Sequence, residues 1–264
     1  MPSSGSVTAG GERWFFLATL SFTPVPFIHL AGLQIPTHGF FFLLAAGLCL
    51  TLLSRQLSTQ EYRRLLNSIP WLVLGSLTGA RIAYLASRSN LWAEPSVWFR
   101  FWEGGMVSYG GMAGCFLVLW IRHGRSEEAA FFDRLAGPCL LAWGIGRIGC
   151  LLNWYGEAGI PTDVPWAFVV DGVARHPVTG YLSLLYIVGG LVLTAIGRSV
   201  PRGTAGAAVF YYALARSLCE PWREYHPSHL RELSLAMCAI LAIFGLILFR
   251  RMGRVPATSV ETFS

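Results

Sequence analysis

The chain has 264 residues, of which 54% are hydrophobic and only 13% are charged, and its formal net charge is +6. Soluble domains carry about 25% charged residues, so this composition excludes an ordinary water-soluble globule and indicates an integral membrane protein. All 20 basic residues are arginines spread along the chain. Because they form no basic tract, the sequence predicts no nucleic-acid partner.

Seven apolar segments approach the length that crosses a bilayer, which is about 20 residues. In chain order they are 38–54, 69–87, 104–121, 131–152, 180–198, 204–220 and 233–250. A further apolar stretch, 14–33, contains Pro24 and Pro26, which disfavour a continuous helix. We predict a re-entrant or interfacial piece there, and an eighth helix is the alternative. The predicted fold class is an all-α integral membrane protein of about seven transmembrane helices.

Arginines in the connecting segments fall unequally on the two sides that these spans create. One side holds Arg55, Arg63, Arg64, Arg122, Arg125, Arg198, Arg202, Arg250, Arg251 and Arg254, and the other holds Arg88, Arg100, Arg175, Arg223 and Arg231. Loops rich in arginine face the cytoplasm. The distribution therefore predicts an N-terminus outside the membrane and a C-terminus in the cytoplasm.

The longest outer connection, about 153–179, contains three prolines and a tryptophan. They are Pro161, Pro165, Trp166 and Pro177. This composition predicts a small extracytoplasmic cap instead of a disordered linker. The predicted organisation is an extracytoplasmic or interfacial segment at 1–37, a transmembrane helical domain at 38–250 that includes the cap, and a cytoplasmic tail at 251–264.

Arginines lie within the predicted spans, where a charge is costly. Arg81 falls in the second span, Arg147 in the fourth, and Arg216 near the end of the sixth. An arginine at the bilayer centre costs at least ~2.5–3.5 kcal/mol, so we expect these side chains to face a protein interior or a wet cavity. Snorkelling to a helix end is the alternative. It suits Arg81 better than Arg147, which apolar residues flank on both sides.

A charged pattern begins at Arg216. With Glu220 and Arg223, this residue has the spacing i, i+4, i+7 that places side chains on one helical face. Pro221 predicts that the regular helix ends near Glu220. Two interpretations are open: Glu220 neutralises the two arginines, or it holds them in place as a phosphate clamp.

Glycine motifs occur in the third and fourth spans. Residues 144–149 match G-x-G-x-x-G, but no strand precedes them and an apolar helix surrounds them. We therefore exclude a dinucleotide site and expect these glycines to let helices, or a lipid headgroup, approach the backbone closely. Residues 104–111 hold glycines around Ser108 and Tyr109, which predicts irregular backbone at membrane depth. Tyr109 is either part of a site or an interfacial anchor. The cysteines and histidines show no ligand spacing, so no metal or cofactor is predicted.

An ordered set of motifs links these features. They are GARIAY at 79–84, GGMVSYGG at 104–111, GRIGCLLN at 146–153, RHP at 175–177, and the Arg216, Glu220 and Arg223 set. In this order and with this hydropathy, the chain resembles the prolipoprotein diacylglyceryl transferases over about 22–250. Each motif alone is weakly specific, and the specificity lies in the ordered set.

The resemblance implies an activity and a location. Members of this family move the diacylglyceryl group of phosphatidylglycerol to a lipobox cysteine thiol in a prolipoprotein signal peptide and release glycerol 1-phosphate. From the resemblance we expect seven transmembrane helices and an extracytoplasmic head in the bacterial plasma membrane, and no cofactor. The expected partners are phosphatidylglycerol, a prolipoprotein or another acceptor, and membrane lipids.

Site residues carry over by motif position. Arg147 corresponds to the family's arginine beside the phospholipid. Asn153 and Gly159 correspond to a motif asparagine and the glycine after it. The family's late Arg/Glu/Arg set corresponds to Arg216, Glu220 and Arg223. Guanidinium groups stabilise a leaving phosphate and fix its position. We expect Arg147 and Arg216 to do so, with Arg223 and Arg81 in support.

The chain departs from the family pattern at five positions that matter. The changes are Tyr109 for histidine, Cys150 for asparagine, Thr179 for glutamine, Leu182 for glutamate and His38 for tyrosine. We hypothesise that His38 supplies the catalytic imidazole, that Tyr109 orients substrate, and that Cys150 is a substrate-binding position; alternatively, His38 is an interfacial anchor. The departures leave two further functions open: a transferase with the same donor but another acceptor, and a non-catalytic lipid-binding or transport protein.

Overall fold

The computed structural model describes residues 20–21, 24–30, 32–88, 95–100, 105–123, 129–153, 159–199, 202–225 and 229–252. Its α-helices are α1 (Thr37–Ser54), α2 (Thr59–Leu66), α3 (Ile69–Ala86), α4 (Ser108–His123), α5 (Ala129–Asn153), α6 (Val178–Ser199), α7 (Thr204–Cys219) and α8 (His229–Met252). All of them except α2 coincide with the predicted apolar segments. Parts of the sequence predictions rest on 1–19, Gly104, Arg125, 154–158 and Arg254, which lie outside the described residues.

Over the described residues, 5 helices are long and apolar enough to cross a membrane. Their spans are Thr37–Ser54, Ile69–Ala86, Ala130–Asn153, Val178–Gly197 and Leu230–Arg251. The other two predicted spans, α4 and α7, have 16 residues each, which is short of the about 20 that a bilayer requires. The integral-membrane character is thus supported by these helices, and a count of seven crossing helices stays a prediction.

Helix α2 was missed because its signal lies in capping and not in apolar length. Ser58 and Glu61 form a capping box, in which each side chain accepts from the other residue's backbone N–H. Glu61 also forms an ion pair with Arg134 of α5. These contacts stabilise a short polar helix that an apolar-segment search cannot detect.

Short strands correct the all-α prediction. They are β1 (Leu20–Ser21), β2 (Phe27–Leu30), β3 (Leu33–Pro36), β4 (Phe168–Val170) and β5 (Val173–Arg175). Strands β2 and β3 form an antiparallel hairpin, and β1, β4 and β5 form a second small sheet. The described part of the stretch 14–33 is therefore not an eighth helix. Its prolines explain this, since Pro24 and Pro26 lack the backbone N–H that a helix needs.

The hairpin is anchored to the bundle by backbone hydrogen bonds. The Val25 N–H donates to the carbonyl of Leu152 at 2.8 Å, near the end of α5, and the Thr37 N–H donates to the carbonyl of Pro26 at 2.9 Å. The start of α1 and the end of α5 therefore lie together. We call this end of the molecule the strand end.

Helix α5 runs through the bundle and packs against α1, α6 and α7. A Cβ at Gly144 would lie 2.7 Å from the backbone nitrogen of Ile187 in α6. In the neighbouring pair α3 and α4, a Cβ at Gly79 would collide with the carbonyl oxygen of Gly110. Small residues thus allow close backbone approach, as expected from the sequence for Gly144.

The N-terminus of α7 is held by a side chain from another helix. Asp133 of α5 is 2% exposed and accepts hydrogen bonds from the backbone N–H groups of Gly203 at 2.9 Å and Ala205 at 2.7 Å. A carboxylate at a helix N-terminus satisfies open donors and complements the helix dipole. This contact fixes α7 against α5 and so positions the opposite end of α7, where Arg216 lies.

Candidate functional site

The predicted polar residues gather at the strand end. His38 is the second residue of α1, Ser108 is the first of α4, and Cys150 lies in the last turn of α5. These three residues line one pocket. Antiparallel helices bring their termini together there, so the site lies at one end of the bundle and not at its middle.

The pocket has a volume of about 170 Å³ and contains a buried guanidinium. Its lining residues are His38, Phe42, Ser108, Trp143, Gly146, Arg147 and Cys150. Arg147 is 6% exposed, and its Cζ lies 5.5 Å from the ring centroid of Trp143. A cation over an aromatic face within about 6 Å is attracted by the ring. The pocket therefore combines apolar walls with a fixed positive charge.

His38 and Cys150 meet across the α1–α5 contact. The Nδ1 of His38 lies 3.6 Å from the Sγ of Cys150, although 112 positions separate them in sequence. Gly149 makes this approach possible, because a Cβ there would lie 3.2 Å from the Cα of His38. The ring of His38 also packs 4.7 Å from that of Phe42. An imidazole and a thiol thus share the pocket of Arg147.

A second cluster surrounds Glu220, which has 0% exposure. The Nε of Arg216 lies 2.9 Å from its Oε1. Ser234 donates to the same oxygen at 2.8 Å, and the hydroxyl of Tyr225 donates to Oε2 at 2.5 Å. A buried carboxylate is tolerated only when it is paired and hydrogen-bonded, and both oxygens of Glu220 meet that condition.

Tyr225 joins the two arginines of this cluster. Its hydroxyl accepts from Arg223 Nε at 3.0 Å and from Arg216 Nη2 at 3.4 Å, while it donates to Glu220. Burial raises the pKa of Tyr225, which keeps the phenol protonated and able to donate. Sequence reasoning missed Tyr225 and Ser234. Their signals were a tyrosine that follows the Arg/Glu/Arg set by two positions and a lone serine in an apolar helix.

The predicted Arg216, Glu220 and Arg223 face is correct only in part. Arg216 and Glu220 form the expected i,i+4 ion pair. Regular helix ends at Cys219, and 220–222 form a 3-10 turn, as Pro221 predicted. Arg223 is extended, with φ −87° and ψ 141°, and it pairs with Gly159 in an antiparallel bridge. It therefore reaches the cluster through Tyr225 and not along a helical face.

Tyr109 lies between the pocket and the Glu220 cluster. Its ring centroid is 5.9 Å from the Cζ of Arg216, and its hydroxyl is 3.3 Å from the Oγ of Ser234. The preceding residue, Ser108, lines the pocket of Arg147. Arg216 is not among the residues that line the pocket.

Arg81 occupies a different environment. It is 4% exposed, and it donates to the carbonyl of Gly105 at 3.1 Å and to that of Val97. These contacts fasten the segment before α4 onto α3. The protein buries this arginine, and its hydrogen bonds favour a role in positioning backbone.

Asn153 and Gly159 flank the undescribed residues 154–158. The Oδ1 of Asn153 is buried and has no hydrogen-bond partner among the described residues. A Cβ at Gly159 would collide with the carbonyl of His176. Arg175 donates to the carbonyl of Gly159 at 3.0 Å and pairs with Glu224 at 2.5 Å. Gly159 therefore brings the β5 strand and the Arg223 segment together.

The fold and the site define a class: an integral membrane protein of several helices, with a basic pocket at one end of its bundle. The chain belongs to the prolipoprotein diacylglyceryl transferase family, whose model matches residues 25–251. Membership confirms the resemblance seen in the sequence motifs and makes the chain a transferase of lipoprotein biosynthesis.

Curated relatives agree with the family match. A protein of Pseudomonas savastanoi pv. phaseolicola is 31% identical over 214 residues, which cover 73% of this chain and 77% of the relative. A protein of Pseudomonas aeruginosa is 32% identical over 212 residues, which cover 72% and 77% of the two chains. Both relatives are named phosphatidylglycerol–prolipoprotein diacylglyceryl transferase.

Proposed function

We propose that this chain transfers the diacylglyceryl group of phosphatidylglycerol to a lipobox cysteine thiol of a prolipoprotein and releases glycerol 1-phosphate. The observation that carries this proposal is the buried guanidinium of Arg147 in a pocket of about 170 Å³ at one end of an apolar bundle. The names of the relatives support the same donor and acceptor.

Charge development on the leaving group explains the need for a buried arginine. The acceptor thiolate attacks a glyceryl carbon, the carbon–oxygen bond breaks, and a phosphate monoester leaves with an additional negative charge. A guanidinium that is already oriented stabilises this charge without reorganisation, and its paired donors fix the phosphate. The apolar walls Phe42 and Trp143 strengthen the interaction by excluding water.

The acceptor thiol must lose its proton, since the thiolate is the nucleophile. His38 lines the same pocket as Arg147, and an imidazole exchanges protons near neutral pH. We assign His38 as the general base. Tyr109 is hydrogen-bonded within the bundle, which suits it to orienting substrate. Comparing His38→Ala with Tyr109→Phe tests this division; an unaffected transfer rate in His38→Ala rejects it.

The Glu220 cluster supports the donor site from one side. Glu220 fixes Arg216, and through Tyr225 it also fixes Arg223. Their net positive charge attracts an anionic headgroup to this end of the bundle. Asn153 offers a buried carbonyl oxygen for a donor hydroxyl, and Arg81 holds the segment that leads to Ser108.

The proposed location is the bacterial inner membrane, with the strand end outside. Arg250 and Arg251 end α8 at the opposite end of the bundle, where arginine favours the cytoplasm. We further propose that α4 and α7 complete seven crossing helices, that the segment 153–179 forms the extracytoplasmic cap, and that the N-terminus is outside and the C-terminus inside.

A transferase with the same donor and another acceptor is the second candidate. Cys150 favours it, because this departure from the family lies in the pocket itself. Leu182 does not favour it: this residue is 0% exposed and packs with Tyr186 and Tyr212 in the core. The changed acceptor chemistry would therefore have to come from Cys150, His38 or Tyr109.

Two assays on the wild-type chain separate the candidates. Rescue of a bacterial strain that lacks its own transferase requires transfer to prolipoproteins, whereas glycerol phosphate release from labelled phosphatidylglycerol requires only the donor half-site. Rescue together with release supports the proposal. Release without rescue in a correctly inserted protein establishes the second candidate, and absence of both overturns the donor site.

A further inference from the structure

We propose that Cys150 and His38 form a thiol–imidazole pair that makes Cys150 a modification site for small, uncharged electrophiles. Activated alkenes such as maleimides are the chemical class that fits. The proposal rests on a distance of 3.6 Å between Sγ and Nδ1, and on the place of both side chains in a pocket of about 170 Å³. A thiol hidden in packed protein would not offer such access.

The other cysteines lack this combination. All of them lie within the described residues, and they are Cys49, Cys115, Cys139, Cys219 and Cys238. Cys219 and Cys238 are each 1% exposed. Cys115 donates to the carbonyl of Leu72 at 3.6 Å, and Cys49 and Cys139 contact each other at 4.0 Å. None of the five lines the pocket, so Cys150 is distinguished by its imidazole partner and its open space.

Two neighbours favour the thiolate at Cys150. His38 can take the thiol proton on Nδ1, and the cation of Arg147, three positions earlier, lies on the same helical face. Cysteines beside histidine or arginine have more thiolate and react faster. The surroundings of Cys150 therefore contain both groups that raise thiol reactivity.

The modification is an addition that needs no oxidant. The thiol proton passes to His38, and Sγ forms a bond to one alkene carbon as the carbon–carbon π bond breaks. The other alkene carbon takes a proton back from the imidazolium, directly or through water. The product is a thioether on Cys150, and no group leaves. Because this adduct occupies the pocket, it competes with any headgroup that binds Arg147, a consequence that rests on the proposed function.

The test is site-resolved labelling of the full chain in phosphatidylcholine nanodiscs with N-ethylmaleimide, followed by mass spectrometry of each cysteine peptide. We expect Cys150 to react about tenfold faster than Cys115 or Cys219. His38→Gln should slow Cys150 about tenfold and leave Cys139, which faces the bundle surface, unchanged. Equal rates at Cys150 and Cys115, or no effect of His38→Gln on Cys150, would overturn the proposal.

A second arm separates this proposal from the proposed function. Replacing half of the phosphatidylcholine by phosphatidylglycerol should slow labelling of Cys150 selectively, because the donor headgroup fills the pocket. A labelling rate of Cys150 that depends on His38 but does not change with phosphatidylglycerol supports the thiol–imidazole pair and contradicts the donor site. Arg147→Ala in the same nanodiscs should remove the protection by phosphatidylglycerol.

Discussion

The Nε of Arg216 lies 2.9 Å from the Oε1 of Glu220, and Glu220 is completely buried. The pair sits where α7 gives way to a 3-10 turn. The ion pair fixes the guanidinium of Arg216 at the end of α7. Arg223 reaches the same cluster from the extended backbone that follows the turn. Because Ser234 and Tyr225 also donate hydrogen bonds to the carboxylate, the cluster is one connected network, and its members should respond together to substitution.

Glu220→Gln should destabilise the protein strongly. The amide keeps the shape but removes the negative charge, and an uncompensated buried arginine costs about 3–5 kcal/mol. Thermal unfolding in detergent measures the loss. Glu224→Gln is the matched control, because Glu224 pairs with Arg175 where both side chains are partly exposed, and such pairs contribute about 1 kcal/mol or less. Equal unfolding temperatures for the two variants would show that Glu220 does not hold Arg216.

Tyr225→Phe should lower the rate of diacylglyceryl transfer strongly and the free energy of unfolding only moderately. The variant removes the hydroxyl that links Arg223 to Glu220, so the arginines lose their alignment, while the lost hydrogen bonds cost about 1–3 kcal/mol. Tyr211→Phe is the control, since Tyr211 lies on α7 like Arg216. Its hydroxyl donates one hydrogen bond, at 2.8 Å, to the carbonyl of Leu185. Steady-state kinetics should give a lower kcat for Tyr225→Phe only. A matching fall in Tyr211→Phe would reduce Tyr225 to a general packing role.

Stability should fall as the pH drops below the ordinary histidine range, in part because of His176. Burial lowers the pKa of His176, so the unfolded chain takes up a proton there at a higher pH than the folded chain does. The folded state is therefore favoured above the ordinary histidine pKa, near ~6.5, and that contribution is lost as the pH falls through the lowered value. Chemical unfolding between pH 7 and pH 5 should show a smaller decline in His176→Gln than in the wild type. An identical decline would exclude His176.

Gly79→Ala should separate α3 from α4. The new methyl group collides with the carbonyl oxygen of Gly110, and overpacking of this kind costs about 1–3 kcal/mol. Gly47→Ala is the control, because a Cβ there meets nothing within 4 Å and alanine favours helix by about 0.5–1 kcal/mol. Thermal unfolding should move in opposite directions for the two variants. An unchanged unfolding temperature in Gly79→Ala would mean that α3 and α4 are farther apart than in this structure.

The sequence predicted the long helices well, because apolar length alone specifies them. It missed α2, whose signal is the capping box of Ser58 and Glu61. It also missed the β2–β3 hairpin, although Pro24 and Pro26 correctly argued against a helix there. Strands of two to four residues have too little periodicity to stand out, and their pairing depends on distant partners.

The charged residues of the site could be predicted from the sequence, but the contacts between its residues could not. Arg147 and Arg216 were identified because a charge among apolar residues is conspicuous in sequence. Tyr225 and the 112-position contact between His38 and Cys150 depend on how α1, α5 and the segment after α7 pack together. The sequence can mark such residues as polar groups near the charged set, but only the folded bundle shows which of them are in contact.

The most direct test of the account is the rate of glycerol phosphate release from phosphatidylglycerol by Arg147→Ala. We expect a fall of about 100- to 1,000-fold, the effect of removing one donor that stabilises a developing anion. Arg134→Ala removes an arginine from the other end of α5, where it pairs with Glu61, and should release glycerol phosphate close to the wild-type rate. Wild-type release by a folded Arg147→Ala protein would contradict the central claim that this guanidinium binds the donor phosphate.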